Sequence, residues 1–183
     1  LAWADTTMIV LVWRLTLLLM LTCVAIAGVQ LVRWHYAEWQ IAAATVTVSS
    51  VLRGELKGVE AQQAAAAATS SAQKALALVP GDERAALIAG TAMTITGNGA
   101  KALELLEPVV AAGGRPELLV ALGRARAATG DDVGARRAFL RAAWASPASV
   151  RTLPRTVRAE LQARVESIEQ DLNAGRLQAA PPQ

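Results

Sequence analysis

The chain has 183 residues and a formal net charge of +3, with one cysteine and one histidine. This length accommodates one domain and an accessory segment. The lone cysteine, Cys23, excludes an intrachain disulfide and a zinc site built from cysteines. Fifteen arginines against three lysines, with abundant alanine, indicate the GC-rich coding of a bacterial genome. The basic charge is concentrated, because ten Arg and four acidic residues lie between positions 115 and 164.

Residues 15–32 form the longest apolar run, and none of the eighteen is charged. As a helix this run would be about 27 Å long, close to the hydrocarbon thickness of a bilayer. The apolar residues before Arg14 extend it, so we predict a membrane anchor over 1–36 with a transmembrane helix at about 8–34. Side chains that favour the membrane interface flank this run, namely Trp13, Arg14, Arg33, Trp34, His35, Tyr36 and Trp39.

A cleaved signal peptide is the alternative to an anchor, with Ala25 and Ala27 forming an A-x-A cleavage site. The uncleaved anchor is favoured. Arg14 and Arg33 lie on opposite sides of the run, so the positive-inside rule gives only a weak orientation. We expect a single-pass protein of the bacterial inner membrane, with its large domain in the periplasm.

The rest of the chain repeats itself at a period of 33 residues. Mid-helix glycines recur in this pattern, which suggests helices whose backbones approach closely despite the cost of glycine in a helix. Such a period with helix–turn–helix punctuation is typical of helical repeats. The matched positions are Gly90 with Gly123, Gly97 with Gly130, Ala102 with Ala135, and Leu106 with Phe139.

This pattern resembles the tetratricopeptide repeat family over about residues 61–149. The strongest unit starts at Pro116 and matches the family at Leu119, Leu122, Gly123, Ala135, Phe139, Ala142 and Pro147. It departs at two positions, since Leu119 replaces the usual Trp and Arg126 the usual Tyr. Weaker matches in the two preceding units are Ala89, Gly90, Met93, Ala102, Leu106 and Val109, and then Ala68, Ala72, Ala75 and Pro80.

The resulting fold prediction is all-α, a transmembrane helix followed by a tetratricopeptide-like α-solenoid over 51–173. Repeats are expected at about 51–81, 82–115 and 116–149, the first as a helix pair ending near Leu78. Residues 37–50 are either a linker or a continuation of the first helix. Gly97 and Gly130 are expected to end helices, and Asn98 and Asp131 to cap the next ones. A capping helix at 154–173 and a flexible tail at 174–183 complete the chain.

No phosphate-binding loop, dinucleotide fingerprint, zinc-protease motif or paired catalytic carboxylates are evident in the sequence. We therefore predict a protein that is not an enzyme, with no metal, no cofactor, no small-molecule substrate and no nucleic-acid partner. The resemblance implies that first helices of repeats line a concave partner-binding face. The residues expected there are Arg84, Leu87, Thr91, Thr94, Glu117, Val120, Arg124 and Ala127. Arg84 and Arg124 would hold carboxylates of a partner protein.

Three functions remain open from the sequence. The first is a non-catalytic scaffold or adaptor that docks other subunits of a membrane complex and contacts the lipid bilayer. The second is a periplasmic assembly chaperone, similar to the repeat proteins of cytochrome c maturation or secretion. The third is an accessory subunit of a haem- or pigment-containing membrane complex that uses His35.

Overall fold

The computed structural model describes residues 2–113 and 115–176, with side chains described from Trp13 onward. Every element in these ranges is helical. Residues 177–183 of the expected flexible tail lie outside the described residues. The helices are α1 (Ala2–Leu52), α2 (Gly58–Leu78), α3 (Glu83–Ile95), α4 (Gly99–Ala112), α5 (Pro116–Ala128), α6 (Asp132–Ala145) and α7 (Arg155–Asn173), with a 3-10 helix η1 (Pro147–Thr152) before α7.

α1 is one uninterrupted helix that begins at Ala2, contains the whole apolar run and ends at Leu52 in the folded domain. Of the two possibilities for residues 37–50, the structure therefore has the helix continuation and not the linker. The segment contains neither glycine nor proline, and the threonines of its strand-like stretch are satisfied within the helix. Thr45 Oγ1 donates to the Ile41 carbonyl at 2.7 Å, and Thr47 Oγ1 donates to the Ala43 carbonyl at 3.0 Å.

The first repeat was wrongly predicted as a separate pair of helices between 51 and 78. Only α2 lies there, and its partner is the second half of α1. The turn at 53–57 reverses the chain, so α2 packs back along α1. The seam buries small side chains, which lets the two helices approach closely. These residues are Ala37, Ile41, Ala44 and Val48 of α1, and Ala65, Ala68, Ala72 and Ala75 of α2.

The remaining helices continue this arrangement. α3 pairs with α4 and α5 with α6, each through a turn of a few residues, so neighbours are antiparallel. The first helices of successive hairpins touch each other, α1 with α3 and α3 with α5. Within the described residues, α2 and α4 do not contact one another. α2 also packs against α3, and α4 against α5, and a groove lies between α1, α3 and α5.

α7 closes the array in the range expected for the capping helix. It packs against α6 and η1, and Pro154 occupies the position before its first turn. Leu161, Val165 and Ile168 are buried beneath it, whereas Val157 and Leu172 at the ends of the predicted apolar stripe are only half-buried. The opposite face of α7 is exposed.

The mid-helix glycines make room for a side chain and not for a closely approaching backbone, which corrects the expectation above. A Cβ atom at Gly90 would lie 2.7 Å from Leu106 Cδ1, and one at Gly123 would lie 2.6 Å from Phe139 Cδ1. Leu106 and Phe139 are themselves repeat-related, and each is buried. The second and third hairpins therefore each insert one large side chain of the second helix into a glycine notch of the first.

The turns inside the second and third hairpins are also alike. Gly97 and Gly130 adopt left-handed conformations, with φ of +80° and +85°, which L side chains rarely adopt. Asp131 caps α6 by accepting from the Gly134 amide at 2.9 Å. Asn98 differs from the prediction, because its side chain makes no capping bond to α4 and instead donates to Thr96 Oγ1.

Candidate functional site

A groove of about 260 Å³ lies on the concave side of the array, between α1, α3 and α5. Its floor is apolar, and a charged side chain is present near each end of its α5 wall. η1 closes the end at Thr152. The residues that line it are Thr45, Val48, Ser49, Leu52, Leu87, Ile88, Thr91, Glu117, Val120, Ala121, Arg124 and Thr152.

Five of the eight residues predicted for a concave face line this groove. They are Leu87 and Thr91 of α3 and Glu117, Val120 and Arg124 of α5. Because these positions recur every three or four residues along two adjacent helices, they share one surface. The structure therefore gathers them as the spacing suggested, although what the surface binds stays a prediction.

The other three predicted residues do not line the groove. Thr94 Oγ1 donates to the Gly90 carbonyl of its own helix at 2.8 Å, and Ala127 is exposed near the end of α5. Arg84 forms a bidentate pair with the carboxylate of Glu38 on α1. Hydrogen bonding to this carboxylate raises the pKa of Arg84 above its ordinary value. A carboxylate of this chain therefore already pairs with Arg84, and its expected role in holding a partner carboxylate stays a prediction.

The four groove residues that α1 contributes were not predicted from the sequence. Thr45, Val48, Ser49 and Leu52 lie at spacings of 3, 1 and 3, which place them on one helical face. The periodic signal was present, but residues 37–50 were left open between linker and helix. Only the tertiary structure shows that α1 supplies the first wall of the groove.

Arg124 is the distinctive residue of the groove. It is half-buried, and its Nη2 donates to the Thr152 carbonyl at 2.5 Å. Burial lowers the pKa of Arg124 below its ordinary value. No carboxylate among residues 13–113 and 115–176 lies within ion-pairing distance of it. A guanidinium has five N–H donors, so most of this cation's hydrogen-bonding capacity is left for a ligand.

The side chains expected at a membrane interface are all exposed on α1. Trp34, Tyr36 and Trp39 are 51%, 48% and 62% exposed. Tyr36 and Trp39 lie side by side, with ring centroids 6.0 Å apart. The other exposed members of this set are Trp13, Arg14, Arg33 and His35.

The apolar run before these residues has no cover from the rest of the protein. α1 is long and apolar enough to cross a membrane, and the most apolar part of it is not buried at all. Every residue from 13 to 36 is exposed, including the thirteen consecutive residues 17–29, whose only side chains with a polar group are Thr22 and Cys23. An exposed apolar surface of this extent is typical of a region that contacts a membrane or another protein.

A second cleft, of about 620 Å³, lies between α6 and α7 and carries Arg136, Arg137 and Arg164. Arg136 pairs with Glu160 across it at 3.1 Å. Within the part of the chain that has described side chains, no three His, Cys, Asp or Glu residues converge as metal ligands would. The groove on the concave side is therefore the better candidate site.

No family model matches the chain, and comparison with curated proteins and with solved structures also found no match.

Proposed function

We propose that this protein is a non-catalytic scaffold anchored in the bacterial inner membrane, which docks a partner subunit in the groove between α1, α3 and α5. The anchor is the apolar part of α1, and the repeat domain extends into the periplasm. The partner contributes an apolar segment with a carboxylate that pairs with Arg124.

The arrangement of the hairpins supports a tetratricopeptide-like solenoid. In that family the first helices of successive repeats line the concave face, and here α1, α3 and α5 do so. The glycine notches at positions 90 and 123 give a second point of similarity, because they recur in register with the repeat.

Arg124 is the observation that carries the proposal. A cation that is partly removed from water is unfavourable unless it is paired. The groove around it is otherwise apolar, with Val48, Leu52, Leu87 and Val120 among its walls. An incoming carboxylate would restore the lost solvation of Arg124, and an apolar segment beside it would cover the exposed floor.

Co-purification from native membranes in mild detergent tests this proposal. The wild-type protein should recover a partner at fixed stoichiometry, and Arg124→Glu should recover much less of it, since repulsion replaces the pair. Arg137→Glu is the matched control, because it makes the same change of charge at an exposed position on α6.

Unchanged recovery with Arg124→Glu, together with a normal helical circular dichroism spectrum, would rule out this groove as the docking site. Leu52→Glu provides a second test, since Leu52 is exposed on the opposite wall. Substoichiometric, heterogeneous recovery with the wild-type protein would instead favour a transient chaperone over a structural subunit.

A further inference from the structure

The repeat domain contacts α1 at the C-terminal end of the candidate membrane span. Arg33 is the first charged residue after the apolar run, and its Nη2 donates to the Leu78 carbonyl at 3.3 Å. Leu78 is the last residue of α2, whose C-terminal carbonyls have no helical partner. The turn between α2 and α3 therefore lies beside the point where α1 emerges from the apolar region.

Three exposed aromatic side chains, Trp34, Tyr36 and Trp39, form a girdle on α1. They indicate how far this point lies from the hydrocarbon core of the membrane. Trp39 lies six residues beyond Arg33, about 9 Å along the helix. The headgroup region of a bilayer adds about 5–8 Å on each side of the hydrocarbon core. Exposed aromatic side chains over this interval are typical of the membrane interface.

The α2–α3 turn, residues 79–81, has the composition of a surface in contact with lipid headgroups. No charged residue lies between Lys74 and Asp82, and Pro80 and Gly81 are exposed. The nearby acids are already bound. Asp82 accepts from the amide of Ala85 at 3.0 Å and from that of Arg84, and the carboxylate of Glu38 is held by Arg84. Glu83, the residue after Asp82, lies 3.8 Å from Arg115. Each of these carboxylates therefore has a hydrogen-bond donor or a cation beside it, which reduces its repulsion of anionic headgroups.

Nothing in α1 allows the domain to swing away from this position. The helix continues to Leu52 without glycine or proline after Gly28, and α2 packs along it. The repeat domain and the span are therefore one continuous body.

We infer that the domain is seated on the bilayer, with the 79–81 turn and the Trp34, Tyr36 and Trp39 girdle in the lipid headgroup layer. This inference rests on membrane insertion of α1 as proposed above. It adds that the lipid surface is a binding partner of the folded domain, and that the groove is held at a fixed height above it.

Nitroxide depth measurements on the full-length protein test this inference. The protein would be reconstituted in vesicles of phosphatidylethanolamine and phosphatidylglycerol, and labelled at one cysteine at a time. The native Cys23, exposed near the middle of the apolar run, is the reference inside the span. Pro80→Cys in a Cys23→Ser background reports the turn, and Asn98→Cys in the same background reports the opposite end of α3, about 20 Å away.

We expect Cys23 to be shielded from a water-soluble nickel relaxation agent, and Pro80→Cys to be several-fold less accessible to it than Asn98→Cys. Equal accessibility of Pro80→Cys and Asn98→Cys, with Cys23 shielded, would overturn the contact between the 79–81 turn and the lipid headgroups. It would leave the proposed membrane insertion of α1 intact. A Cys23 label fully accessible to the agent would overturn both. Ala77→Cys, exposed in the last turn of α2, is the second reporter of the same surface and should match Pro80→Cys.

Discussion

Adding one methyl group at Gly123 should destabilise the domain, although the same change stabilises an ordinary helix. Alanine is favoured over glycine in a helix interior by about 0.5–1 kcal/mol. At Gly123 the new Cβ would overlap the ring of Phe139, which is buried and has no space to retreat. Overpacking of a core costs about 1–3 kcal/mol, so Gly123→Ala should lose about 1–2 kcal/mol overall.

Thermal unfolding of the detergent-solubilised full-length protein, followed by circular dichroism, measures this effect. For a chain of this size, a loss of 1–2 kcal/mol corresponds to a decrease in Tm of about 2–8 °C. Ala67→Gly, at an exposed position of α2, gives the helix propensity term alone. Gly123→Ala combined with Phe139→Leu should cost less than the sum of the two single changes, because the smaller side chain relieves the overlap. An increase in Tm on Gly123→Ala would refute the inference that the Phe139 ring fills the space above Gly123.

Three further predictions concern the stability of the array. Asp131→Ala removes the side-chain cap of α6 and should cost about 1 kcal/mol in thermal or denaturant unfolding. Ala68→Leu should cost about 1–3 kcal/mol because it forces α1 and α2 apart, whereas Ala67→Leu, one residue away and exposed, should change stability by no more than a few tenths. Glu38→Gln weakens the pair with Arg84, which is partly exposed, so it should cost at most about 1 kcal/mol at low salt and less at high salt, as unfolding at two ionic strengths would show.

The second and third hairpins were the most accessible to sequence reasoning, because their residues recur in register. Gly90 and Gly123 align with each other, and so do Leu106 and Phe139, which indicated that each pair has a shared structural role. What the alignment could not give is which atoms fill the space above a glycine. The structure shows a side chain there, and this detail decides the sign of the effect of Gly123→Ala.

The first hairpin could not be recognised from the sequence because of its alanine-rich composition. A seam of alanines such as Ala65, Ala68 and Ala72 has little apolar contrast with the exposed alanines around it, so periodicity is weak. Its partner helix, α1, contains the apolar run, whose hydrophobicity is already assigned to a predicted membrane span. Local patterns therefore gave no reason to join α1 to the domain, and only the packing of α2 against it does so.

The candidate site shows the same division between local and long-range information. Positions along α3 and α5 follow from helical spacing, so Leu87, Thr91, Val120 and Arg124 could be assigned to one face. Whether an arginine on that face is free depends on what another part of the chain places beside it. Arg84 pairs with Glu38, forty-six residues earlier, whereas within the described part of the chain the Arg124 side chain hydrogen-bonds only to the carbonyl of Thr152.

The shared use of α1 links the two proposed surfaces. The same helix that we propose crosses the membrane supplies Val48 and Leu52 to the groove, about 22–29 Å beyond Arg33 along its axis. Because no flexible segment intervenes, a partner that reaches the groove must present its apolar, acidic segment at that height above the lipid surface. On this proposal, a fixed height would exclude partner segments that are confined to the headgroup layer, and it would favour those that project from the membrane. The geometry of α1 is thus a determinant of specificity in its own right, separate from the charge of Arg124.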